Sequence, residues 1–179
     1  MEVKPPEEAQ FLLCSSLTTF VSCSAAAYYG LYDFLATSTS VLICSVNYWR
    51  RPIYGWRRNL DITNTILCAL YHSWRATETM NVYYFVFAAN GIGSYLIAQR
   101  LDHCGIFRIP ALWAHSGMHV FGNVANLFLF QDLYKSGTET LEACEIAMVM
   151  LLALALVDVL FIGGWPPRWW PPAKALPVD

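Results

Sequence analysis

Residues 45–61 read SVNYWRRPIYGWRRNLD. An apolar run ends at Trp49, four arginines surround an aromatic turn, and Asp61 leads into the next apolar run. This is the pattern of a chain that leaves a membrane and turns back. Arg50, Arg51, Arg57 and Arg58 flank Tyr54, Gly55 and Trp56. Two roles are open for these arginines. They set the topology, or they bind an anionic partner, either a lipid headgroup such as that of cardiolipin or an acidic neighbouring subunit.

Working outward, apolar residues gather into six segments, 11–29, 35–49, 62–73, 82–98, 109–130 and 144–162. The runs are too long for strands and lack period-2 alternation, so the expected fold is all-α. A full span takes roughly 20 apolar residues, which makes the second and third segments short. Gly30 and Asp33 predict a hairpin between the first two segments, with one long helix as the alternative. Of the 179 residues, 56% are hydrophobic and 13% charged, against about 25% charged in soluble domains. The mean hydropathy of +0.40 agrees. The expected architecture is a polytopic transmembrane bundle of about six helices.

The charges give the orientation. With the N-terminus inside, Lys4, Arg50, Arg51, Arg57, Arg58, Arg100, Arg108, Arg168 and Lys174 fall on the inner side. Only Arg75 and Lys135 fall outside. The positive-inside rule then predicts both termini inside. Residues 1–10 read as an N-terminal extension, 11–164 as the bundle and 165–179 as an extended arm. The extension is acidic and Pro-rich, so no cleaved signal or transit peptide is expected. Paired prolines in the arm favour a polyproline conformation. Trp165, Trp169 and Trp170 anchor it at the bilayer surface or dock it on a partner. The net charge of -2 argues against nucleic acid as a partner. Ala88, Ala89, Gly91, Gly93 and Ser94 predict close helix packing.

Polar residues inside apolar segments are costly and tend to be functional. At about 1.5 Å per residue, Ser45 lies about 7 Å and Asp61 about 4–5 Å from the inner boundary. His115 and Asp158 each lie about 10 Å in, with His119 one turn deeper than His115. His115 and His119, four residues apart, share a helix face and have a common metal-ligand spacing. A hydrogen-bonded interior pair, for example His115 with Asp158, is the alternative. His72, the other histidine within a segment, lies near the outer end. No retinal-type lysine sits inside a helix, and no transporter-like internal repeat is visible.

Ser45, Asp61 sixteen residues later, and the His115–His119 pair together resemble the membrane-hydrolase superfamily of alkaline ceramidases, progestin/adipoQ receptors and Per1-like proteins. The resemblance covers residues 41–65 and 110–126. It implies a zinc held by histidines, a metal-bound water attacking a lipid amide or ester, and Ser45 and Asp61 supporting that water. The third zinc histidine of the family falls at position 49, where this chain has Trp49. His115 and His119 remain, with Asp158 as the candidate to complete the set. Two functions are therefore expected. The first is a non-catalytic accessory subunit of a respiratory or ATP-synthase-like membrane complex, most simply in the mitochondrial inner membrane, with no cofactor. The second is a zinc-dependent lipid amidase or esterase.

Overall fold

The computed structural model describes residues 4–104 and 108–137. Segment 144–162, Asp158 and the arm with Trp165, Trp169 and Trp170 lie outside the described residues. Within them the chain is helical and has no strand. The helices are α1 (Pro6–Ser16), a 3₁₀ turn (Leu17–Thr19), α2 (Phe20–Tyr28), α3 (Tyr32–Trp49), α4 (Trp56–Thr79), α5 (Val82–Cys104) and α6 (Arg108–Ser136).

Local chemistry sets the boundaries. Pro6 begins α1, with Glu7 and Glu8 in its first turn, an arrangement suited to a helix N-terminus. The helix thus starts inside the expected N-terminal extension. Lys4 pairs with Asp102 at 2.5 Å and with Glu8 at 3.5 Å. Gly30, at φ +70°, ends α2. The Leu31 N–H bonds to the Ala26 carbonyl and the Gly30 N–H to that of Ala27, a Schellman motif. This break makes the first two segments a hairpin rather than one long helix. Met80 closes α4 in the left-handed conformation. Asn81 then accepts the Tyr83 and Tyr84 N–H groups to start α5.

Two hydrophobic clusters show that successive helices alternate in direction. One joins Leu12, Tyr48 and Trp49, with Leu112 packed against it. This is the end that carries the basic turn. The other joins Ala26, Phe34, Tyr71, Tyr84, Leu129 and Phe130 at the opposite end. The most extensive helix contact is between α5 and α6. The small residues place it there: a Cβ on Gly91 would stand 3.5 Å from the Met118 carbonyl oxygen, and one on Gly117 would stand 3.3 Å from Ser94 Oγ.

Three expectations need correction. The third segment is not short, because α4 runs 24 residues and takes in Arg57, Arg58 and Arg75. Arg75, counted on the outer side, does lie at that end, but within a helix. It is buried within α4, as described below. Finally, six membrane spans are not apparent from hydropathy. One described stretch, Pro6–Tyr28, is long and apolar enough to cross a membrane by length and composition. The remaining helices carry polar stripes. On α3 the stripe is Asp33, Thr37, Ser40 and Ser45; on α4, Asp61, Asn64, Cys68, His72 and Arg75; on α6, His115, His119, Asn123 and Asn126. On α4 and α6 the stripe follows the three-to-four spacing of one helix face, as it does on α3 from Asp33 to Ser40.

Candidate functional site

The antiparallel α3–α4 hairpin sets the last turns of α3 beside the first turns of α4. Ser45 and Asp61, both buried, face each other there, and the Ser45 hydroxyl donates to Asp61 Oδ1 at 2.6 Å. Arg58, one turn before Asp61, is close enough to act on it electrostatically, as are Tyr48 and Tyr95.

The two histidines come from α6. Their rings lie 5.5 Å apart between centroids. The ring of Trp49, one turn beyond Ser45 on α3, meets His115 edge to face at 5.3 Å and 89°. Tyr95 of α5 approaches the same imidazole at 6.0 Å. The structure therefore joins Ser45 to Asp61 directly and sets the His115 and His119 rings side by side, with Trp49 of α3 packed on His115.

Zinc can be tested against this arrangement. His119 is buried and its Nε2 has no hydrogen-bond partner, as an imidazole kept free for a ligand would be. Ser116 Oγ, one turn earlier, is also without a partner. Two imidazoles do not make a zinc site, which takes three or four protein ligands. The third position holds an indole, whose nitrogen is a donor only. Among the described residues, no group of three or more His, Cys, Asp or Glu is placed to hold a metal ion. The described residues therefore do not fit zinc. Asp158, expected to complete the set, lies outside them.

The largest polar system was not anticipated. At the end opposite the basic turn, Arg75 Nη1 pairs with Asp33 Oδ2 at 2.8 Å, with the two side chains 2% and 0% exposed. The Tyr71 hydroxyl donates to the same carboxylate oxygen at 2.5 Å, and Arg75 Nε reaches Glu78 at 3.0 Å. A second chain of bonds runs from His72 toward α2 and the 3₁₀ turn. Asn126 gives its amide N–H to Ser22, so its oxygen must accept from His72 Nδ1 at 2.9 Å. Ser22 donates onward to Asn123 Oδ1 at 2.6 Å, and Asn123 donates to Thr18. With Nδ1 protonated, the neutral His72 ring accepts from Thr37 through Nε2 at 2.9 Å. His72 is thus fixed by two polar partners within the bundle.

Sequence signals for these contacts existed. His115, His119, Asn123 and Asn126 recur every three or four residues along α6. Asp33 and Arg75 gave no pairing signal, since each sits at the margin of its apolar run. No family model, curated protein or solved structure matches this chain.

Proposed function

We propose that this chain is a non-catalytic, lipid-embedded accessory subunit of a multi-subunit membrane complex of the respiratory or ATP-synthase-like kind. The observation that carries the proposal is the reversed distribution of polarity. Polar stripes face inward on α3, α4 and α6, and large apolar side chains face outward on every long helix. Phe20, Ile43, Leu70, Leu96 and Trp113 are each more than half exposed. In water such a surface is an aggregation hazard. In lipid it is solvated, and many of the inward polar groups bond to one another, as Ser45 does with Asp61 and His72 with Asn126. This reading supports several spans where hydropathy identifies one, because hydropathy averages both faces of a helix. In it, segment 144–162 is the sixth span, both termini lie inside, and Trp165, Trp169 and Trp170 dock the arm on a neighbouring subunit. Trp49 packed on His115 supports the non-catalytic part.

Two measurements test the proposal. Alkaline carbonate should leave the chain in the membrane pellet, with the mitochondrial inner membrane the first fraction to examine. Native electrophoresis in mild detergent should show it in an assembly far larger than its own 20.2 kDa. Migration as a lone protein would sink the subunit reading.

The zinc-dependent lipid amidase or esterase remains a second reading. It is favoured by the Ser45–Asp61 bond and by the unpartnered His119 Nε2, and it needs a ligand from outside the described residues. Metal analysis of the purified full chain decides it. Stoichiometric zinc, together with lipid hydrolysis lost in His115→Ala and His119→Ala, would replace the subunit reading. Zinc-free protein would end the hydrolase one.

A further inference from the structure

The turn between α3 and α4 concentrates four cations. Arg50 and Arg51 are exposed, and Arg57 and Arg58 half-buried. None of the four forms an ion pair among the described residues, whereas Lys4 and Arg108 at the same end share Glu8, and Lys4 also takes Asp102. Asp61 is buried and bonded to Ser45. Asp61 acts on Arg58 electrostatically but forms no ion pair with it, while Glu8 pairs with Lys4 and Arg108, and Asp102 with Lys4.

Two of the guanidiniums are also pre-placed. Arg57 Cζ lies 5.5 Å from the Trp56 ring centroid, and Arg58 Cζ lies 5.5 Å from that of Tyr54. A guanidinium over an aromatic ring is restrained by the cation–π contact, and its N–H edge matches two oxygens of a phosphate. Trp56 and Tyr54 are themselves exposed, as residues at the depth of lipid headgroups are. Pro52, buried, ties the turn to the bundle.

The geometry points to this turn as a binding site for the phosphate of an anionic glycerophospholipid, read by the ring-restrained guanidiniums of Arg57 and Arg58 and reinforced by Arg50 and Arg51. The inference rests on the lipid-embedded reading above. It predicts that the subunit carries its own ordered anionic lipid at the basic end.

The test uses the full chain in mild detergent, stripped of lipid. Cardiolipin, phosphatidylglycerol, phosphatidylcholine, inorganic phosphate and a Glu-rich peptide are added separately, and bound species are counted by native mass spectrometry. Cardiolipin or phosphatidylglycerol should bind at least about tenfold more tightly than phosphatidylcholine. Arg57→Gln with Arg58→Gln should remove that preference, and Arg100→Gln should keep it. Arg57→Lys with Arg58→Lys should retain part of it, and serves as the folded control if the glutamine pair is unstable. Equal binding of neutral lipid, an unchanged preference in the Arg57/Arg58 variants, or tighter binding of inorganic phosphate or the acidic peptide would overturn the proposal. Carbonate extraction separates the two readings. A chain that stays in the membrane yet shows no anionic preference refutes only the lipid site, and one released by carbonate refutes the embedding on which it rests.

Discussion

Arg75→Leu removes the partner of a carboxylate that has no access to water. Asp33 is fully buried, and its Oδ2 lies 2.8 Å from Arg75 Nη1. After the substitution, Asp33 retains the Tyr71 hydroxyl and the Phe34 N–H, two neutral donors for a full negative charge. Breaking a buried pair by deleting one member costs about 3–5 kcal/mol. The Glu78 arm adds little, because that side chain is 35% exposed and such pairs contribute roughly 1 kcal/mol or less. For a chain of this size each kcal/mol lowers Tm by about 2–4 °C, so the expected drop is about 6–20 °C. The assay is thermal unfolding in mild detergent, followed by near-UV circular dichroism at one fixed scan rate. Asp33→Leu combined with Arg75→Leu should recover much of the loss, since no charge is then stranded. An Arg75→Leu protein within about 2 °C of wild type, or a double variant no better than the single, would refute the argument that this pair is dry and mutually dependent.

Asn126→Leu deletes the middle of the His72–Asn126–Ser22 chain and leaves the buried His72 Nδ1 without its acceptor, while Ser22 keeps its bond to Asn123. A loss of about 1–3 kcal/mol is expected in the same unfolding assay, and an unchanged Tm would count against the chain as drawn. Trp49→His places a third imidazole beside His115, so this variant should bind zinc at about one equivalent by metal analysis while wild type does not. A zinc-free variant would mean that the ring positions cannot converge on one ion. Gly91→Leu should force α5 and α6 apart and cost about 1–3 kcal/mol, whereas Gly91→Ala should be nearly silent because its Cβ would meet Met118 at an ordinary contact distance. Comparable losses in both variants would show that the seam is tighter than the backbone spacing indicates.

The helices were legible wherever an apolar run ended in a turn signal, as at Gly30 and at Arg50–Arg51–Pro52. The ends of α4 were not. Its first turn carries Arg57 and Arg58 and its last turns carry Arg75 and Glu78, so a reading based on apolar content stopped at Ile62 and Ser73. Ser45 and Asp61 were placed at the same membrane end by their depths, without a contact being predicted, and the closeness of His115 and His119 followed from their spacing along α6. The Asp33–Arg75 pair did not follow from either cue. Forty-two residues separate its members, and a charge at the edge of an apolar run reads as a loop charge until a partner is known. Trp49 on His115 escaped for a related reason. Sequence shows that a ligand type is missing at position 49, but only packing shows what the indole does there.

The 3₁₀ turn at Leu17–Thr19 has an angular consequence. Leu12 and Ala26, both fully buried, stand two heptads apart on the first helical rod. A straight α-helix would let such a pair drift about 40° around the axis. Three residues wound at about 120° instead of about 100° return about 60°. The overwound turn thus acts as a phase correction, keeping both halves of the rod facing the same groove. Relaxed to α geometry, it would rotate Ser22 by the same angle and carry its hydroxyl away from Asn123. A three-residue change of pitch therefore turns the far half of this rod by about a sixth of a revolution relative to the bundle.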